Sequence, residues 1–121
     1  MRKSELGTWG ETLAAETLED KGYRIIARNY RSRYGEIDLI ARREAVLAFV
    51  EVKLRKSDRY GEAREYVTAQ KQSRIRLTAA LYLEAHTWAQ ALQPRFDVVE
   101  VYAPQGLQGG HTVTHLENAF E

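Results

Sequence analysis

The stretch Glu36-Ile37-Asp38-Leu39-Ile40, followed after a short charged turn by Phe49-Val50-Glu51-Val52-Lys53, decides how this chain is read. Two carboxylates and one ammonium stand inside apolar strand sequence, where charge is costly. Successive strand side chains point to opposite faces. Glu51 and Lys53 therefore project together, while Val50 and Val52 point the other way, into a core. Asp38 joins the first pair if the segment 36–41 lies on the neighbouring strand. Two hard oxygen ligands for an ion, with a cation beside them, are what a divalent-metal phosphodiesterase requires.

Outward from this stretch the chain divides into clear elements. Residues 46–54 place Val46, Ala48, Val50, Val52 and Leu54 on one face and Phe49, Glu51 and Lys53 on the other. Apolar residues on both faces mark a covered, central strand. Upstream, Tyr23 to Tyr30 has strand composition, Arg31-Ser32-Arg33-Tyr34-Gly35 makes a basic turn, and residues 36–42 form a second strand. Residues 4–21 read as a helix with Leu6, Trp9, Leu13, Ala14 and Thr17 on one arc, and Gly22 as its stop. Thr8 and Glu11 have the spacing of a capping box.

Downstream, residues 55–67 form a charged connection. Thr68 is placed to cap a long helix in which Ile75, Ala79, Tyr82 and Leu83 recur at helical spacing. That helix ends before Pro94, Phe96 to Ala103 is a buried-type strand, and a last short strand lies around Thr112 to Leu116. One helix, a three-stranded meander, a crossover helix and two strands predict an α/β fold with a mixed five-stranded sheet and helices packed on it.

With 121 residues, 44% of them hydrophobic and only two prolines, the expectation is one domain spanning residues 1–121. The chain has no cysteine, which excludes disulfides and thiolate metal sites and fits a reducing compartment. No apolar run reaches the ~18 residues of a membrane span, and Met1-Arg2-Lys3 leads into polar sequence, so no membrane association and a cytoplasmic location are the default expectations.

The net charge of +1 conceals an asymmetry. Residues 24–76 hold 14 of the 18 Lys and Arg but only seven of the 17 Asp and Glu. A basic middle wrapped around an acidic pair and its lysine points to a polyanionic partner, with the carboxylates reserved for a metal ion. Arg31, Arg33, Arg55 and Lys71 are the candidate phosphate-binding side chains. Tyr34, Tyr60 and Tyr66, lying among arginines, are candidates to stack on unpaired bases.

Mg²⁺ takes oxygen ligands and is typically held by one or two carboxylates together with water and substrate phosphate. Asp38 and Glu51 supply the pair, and the main-chain carbonyl of Val52 is a candidate third ligand where the strand end is free of ladder bonds. Lys53 would orient or deprotonate the attacking water, or neutralise charge on the phosphorane. The same Glu-x-Lys spacing also describes a solvated charge pair worth a few tenths of a kcal/mol. What weighs toward a site is Asp38 on the preceding strand, the apolar flanks and the basic surroundings, because uncompensated buried charge costs several kcal/mol.

Other chemistries find little support. His111 and His115 lie four apart without a third matching ligand for zinc. No serine has a histidine nearby in sequence, and no glycine-rich loop with a following Lys-Ser/Thr is present. Asp97, inside an apolar strand beside Arg95, reads as an ion pair.

With these residues in place, the chain resembles the PD-(D/E)xK nuclease superfamily and, within it, closely resembles the bacterial YraN family. The resemblance runs nearly end to end, through Gly10-Glu11, Asn29-Tyr30-Arg31, Gly35 to Ala41, Phe49 to Lys53, Thr68 with Lys71, Arg95-Phe96-Asp97-Val98 and His115 to Phe120. It implies a restriction-endonuclease-like three-layer fold, related to that of archaeal Holliday-junction resolvases. Those enzymes use an early-helix Glu, a strand Asp and a Glu-x-Lys around one or two divalent ions. By resemblance, the catalytic roles fall on Glu11, Asp38, Glu51 and Lys53.

The expected function is a metal-dependent endonuclease, with Mg²⁺ or Mn²⁺ as cofactor, that hydrolyses phosphodiester bonds in nucleic acid, DNA first and branched DNA ahead of plain duplex. A two-fold junction substrate would favour a homodimer by symmetry. The competing expectation is a nucleic-acid-binding protein with a vestigial site, in which Arg31, Arg33, Arg55 and Lys71 hold phosphates and nothing is cut.

Overall fold

Ser4 starts the first helix: its hydroxyl accepts the backbone N–H of Gly7 at 3.0 Å, satisfying one of the donors a helix start leaves open. The computed structural model describes residues 4–56 and 67–121. Helix α1 covers Glu5–Asp20, and Gly22, with φ of +92°, turns the chain into β1, Arg24–Arg31. Strands β2 (Glu36–Arg43) and β3 (Val46–Arg55) complete a meander, α2 covers Ala69–Ala85, and β4 (Gln93–Tyr102) and β5 (Thr112–Phe120) close the fold.

The sheet order is β1-β2-β3-β4-β5, antiparallel throughout except for the parallel pair β3 and β4, which α2 connects. This is the mixed five-stranded α/β sheet the sequence predicts, with β3 at its centre. Helix α1 covers one face, burying Ala14, Ala15 and Leu18 with Leu39, Ala41, Ala48, Val50 and Val99. Helix α2 covers the other, burying Ile75, Ala79 and Tyr82 with Ile40, Leu47, Phe49 and Val98. The result is three layers. Phe49 is fully buried beneath Tyr82, with the two rings edge to face at 6.0 Å.

Four details depart from the sequence reading. Thr8 lies inside α1 rather than at its start, so the capping box with Glu11 does not form and Ser4 is the cap. The buried arc of α1 is Gly10, Glu11, Ala14, Ala15 and Leu18, about one residue round from the predicted one, because small residues let the helix lie close to the sheet. Strand β4 begins at Gln93, with Pro94 opposite Leu47. Strand β5 runs on to Phe120, past an irregularity at Asp97 and a left-handed Asn118 with φ of 51°.

Asp97 explains that extension. Fully buried, it accepts two bonds from Arg95 (2.9 and 2.8 Å), one from the backbone N–H of Asn118 (3.0 Å), and pairs with His115 at 2.7 Å. The expected ion pair with Arg95 is present, and the bonds of Asp97 to His115 and Asn118 clamp β5 onto β4. His111 lies before β5 against Trp9 instead. No helix among the described residues is long and apolar enough to cross a membrane. Tyr60, Tyr66 and most of the charged connection at 55–67 lie outside the described residues.

Candidate active site

The β2–β3 pairing runs from Arg43 opposite Val46 to Leu39 opposite Val50. Beyond that last pair the strands part, and the side chain of Asp38 takes the place of a ladder acceptor: its Oδ2 receives the backbone N–H of Val52 at 2.8 Å. The N–H and C=O of one strand residue point to the same edge, so the Val52 carbonyl faces the same gap. Asp38 and Glu51 are both buried, at 8% and 5% exposure. Lys53 follows Glu51 on the same face.

A cavity of about 680 Å³ opens here, between the β2 and β3 ends and the first turns of α2. Asp38, Glu51, Val52 and Lys53 line one wall, Tyr34 and Glu36 the rim, and Lys71 and Arg74 the helix side. The rim is pinned. Ser32 accepts the backbone N–H of Tyr34, its own N–H reaches the Gly35 carbonyl at 2.8 Å, and its hydroxyl meets that of Thr78 on α2 at 2.7 Å. Thr68 caps α2 by accepting the N–H of Lys71, as the sequence predicts, and this fixes the backbone from which Lys71 reaches inward.

Two ammonium groups serve one carboxylate. Lys71 Nζ stands 2.5 Å from Glu51 Oε1, and Lys53 Nζ stands 3.8 Å from the same atom. Burial, followed by the neighbouring Asp38 charge, raises the Glu51 carboxyl above its ordinary range despite both lysines. Burial and the Lys71 charge push Lys53 below the ordinary lysine range. Burial also pulls on Lys71, but its bond to Glu51 outweighs that and raises it. The Glu51 direction reports two carboxylates close enough to repel, and the Lys53 direction reports a place poor in water with a second ammonium nearby.

The donor set suits a hard cation. Asp38 and Glu51 offer carboxylate oxygens and Val52 a carbonyl, and an ammonium already sits as a monovalent stand-in at Glu51. Among the described residues no three His, Cys, Asp or Glu side chains converge on one point. Two carboxylates with water and phosphate match Mg²⁺, which keeps several waters.

The remaining predicted residues separate. Glu11 is buried on α1 outside the cavity lining. Asn29, held at φ of 53°, bridges it to the site, its amide donating to Glu11 Oε1 at 3.3 Å and to Glu36 Oε1 at 2.8 Å. Arg31 is exposed and pairs with Glu36 at 3.8 Å. Arg33 is exposed too and bonds the Tyr34 hydroxyl at 3.0 Å, with its guanidinium over that ring. Arg55 lies away from the cavity, 3.0 Å from Glu100 and over the Tyr102 ring. Beside Lys71, Gln72, to which the sequence analysis gives no role, turns back to the Val67 carbonyl at 2.9 Å. Arg74 and Glu36 carried no assigned role in the sequence reading. Arg74 sits three residues after Lys71, the spacing that puts two helix side chains on one face.

Comparison with known proteins settles the kinship. The model of the Uncharacterised protein family UPF0102 matches residues 10–101, which include the carboxylates, both lysines and the crossover helix. The chain belongs to the UPF0102 family. This is the YraN family that its motifs resemble. A UPF0102 protein of Symbiobacterium thermophilum is 51% identical over 115 residues, covering 95% of each chain. Another UPF0102 member, from Syntrophomonas wolfei, is 42% identical over 116 residues, covering 96% of this chain and 97% of its own. A third, from Caldanaerobacter subterraneus, is 40% identical over 120 residues. These relatives match along nearly their whole length, so the family fold spans the same elements as this chain.

Proposed function

We propose that this UPF0102 protein is a divalent-metal-dependent endonuclease that hydrolyses phosphodiester bonds in nucleic acid, DNA first and branched DNA ahead of plain duplex. One observation carries the reading: buried Asp38 and Glu51, from adjacent strands, open with Lys53 into one cavity whose helix side carries Lys71 and Arg74. Asp38, Glu51 and the Val52 carbonyl would hold Mg²⁺ or Mn²⁺. A bound ion supplies Lewis-acid activation of water and neutralises charge at the phosphate. Lys53, partly desolvated, is positioned to orient or deprotonate the attacking water. Arg33, Lys71 and Arg74 line the approach for the phosphate backbone, and Tyr34 offers a ring to a splayed base. Glu11 acts through Asn29 and Glu36, holding the rim rather than touching substrate.

A second reading, a nucleic-acid-binding protein with a vestigial site, draws on the Lys71–Glu51 bond, which partly neutralises the carboxylates without any ion. Purified protein incubated with Mg²⁺ or Mn²⁺ on junction, flap, single-stranded and RNA substrates separates the two. Cleavage that chelator stops, and that Asp38→Ala and Lys53→Ala abolish, supports the enzyme. Tight binding without cutting, indifferent to chelator, supports the binder.

A further inference from the structure

Four charges face one another at the cavity wall. Asp38 and Glu51 bring two negative charges, Lys53 and Lys71 two positive, so the cluster is balanced with no ion bound. The two lysines are not equivalent. Lys71 bonds Glu51 directly at 2.5 Å, whereas Lys53 stands off at 3.8 Å. Lys71 also reaches in from a different element, on a backbone held by the Thr68 cap, and its side chain is 41% exposed against 5% for Glu51. It has a route out to the cavity mouth; Glu51 has none.

We infer that Lys71 is a built-in competitor for the metal: its ammonium occupies the cation position at Glu51 in the free protein and must leave before a divalent ion is held there. The inference rests on the metal-site reading above and adds to it a residue that sets metal affinity. The reason is electrostatic. An ion at about 2.1 Å from a Glu51 oxygen would stand within a few Å of the ammonium and leave the cluster with two surplus positive charges. Displaced from Glu51, the four-carbon stem of Lys71 carries its charge toward the mouth, where phosphate would meet it. Lys53, already out of bonding range, has no such move to make.

Calorimetric titration of the full chain with Mn²⁺, without nucleic acid, tests this on wild type, Lys71→Met, Lys71→Arg, Arg74→Met and Asp38→Asn. A hydrogen bond to a charged group is lost with Lys71, so Lys71→Met should tighten Mn²⁺ binding by about ten-fold or more. Lys71→Arg keeps the charge and should stay near wild type. Arg74→Met removes a lining charge with no bond to Glu51 and should change affinity by less than about three-fold, as expected of a screened surface charge. Lys71→Ala provides a second truncation should the methionine variant fold poorly.

Equal or weaker Mn²⁺ binding by Lys71→Met, with binding still abolished by Asp38→Asn, overturns the inference and leaves the metal site standing. Equal tightening by Lys71→Met and Arg74→Met also overturns it, because the general field would then suffice. Absence of Mn²⁺ binding in both wild type and Lys71→Met overturns the inference together with the reading beneath it.

Discussion

Asp38 and Val52 are joined across the opening between β2 and β3, the carboxylate accepting the backbone N–H at 2.8 Å. One side chain thus closes a gap in the sheet and presents its second oxygen to the cavity. Asp38→Asn keeps an acceptor of the same shape, and Asp38→Ala removes it. Cleavage should be lost in both, while denaturant unfolding should show a loss of about 1–3 kcal/mol in the alanine variant alone, the cost of an unmade buried bond.

Glu51 is held charged against its surroundings. Burial and Asp38 raise its pKa, so the folded state binds its proton more tightly than the unfolded state does. Stability from this group therefore rises as the pH falls from the raised folded value toward the ordinary 4.5. Glu51→Gln removes the penalised charge, and its thermal midpoint at pH 7 should lie above wild type while metal binding and cleavage vanish.

Lys53 titrates in the opposite sense. Its depressed folded pKa means that the folded protein releases this proton below the ordinary 10.5. Cleavage that uses Lys53 as a base should rise with pH through that lowered value. Lys53→Ala should lose at least about 10²-fold in rate, the lower bound for a positioned acid or base.

Asp97 gives the acid limb of stability. Burial works against its charge, but His115, Arg95 and the Asn118 N–H lower its pKa below 3.8. The stability it contributes is complete above 3.8 and is lost as the pH falls through the lower folded value. Asp97→Ala strands a largely buried arginine and should cost about 3–5 kcal/mol, read by denaturant unfolding, with Mn²⁺ affinity unchanged.

Arg33 and Arg55 separate phosphate contact from structural pairing. Arg33 is exposed near the rim, and Arg33→Ala should reduce the salt slope of nucleic-acid binding by about one. Arg55 is tied to Glu100 within the sheet. Arg55→Ala should leave the slope near wild type and lower the unfolding midpoint instead.

The sequence made the strands legible because the interiors of β2 and β3, residues 37–41 and 46–54, are apolar except at Asp38, Glu51 and Lys53. Thr68 was equally readable, as a capping residue just ahead of a periodic run. The start of α1 was readable near residue 4, but its cap was not: Thr8 with Glu11 has the spacing of a capping box, whereas the cap is the Ser4 hydroxyl on the Gly7 N–H. The bond from Lys71 to Glu51 was hidden for a different reason. They are twenty positions apart, Lys71 on the crossover helix itself, and nothing local fixes how far that helix advances over the sheet. Arg55 looked like its basic neighbours until β4 brought Glu100 alongside.

Asp38 and Glu51 lie on a single hairpin, whereas Lys71 arrives with the helix that follows. During synthesis the two like charges emerge first and the hairpin can close early, because local pairing precedes distant pairing. For that interval Lys53, on the same hairpin, is the cation of the cluster that accompanies them. The crossover that delivers Lys71 therefore completes the charge balance of the cleft, and this couples the order of folding to its chemistry.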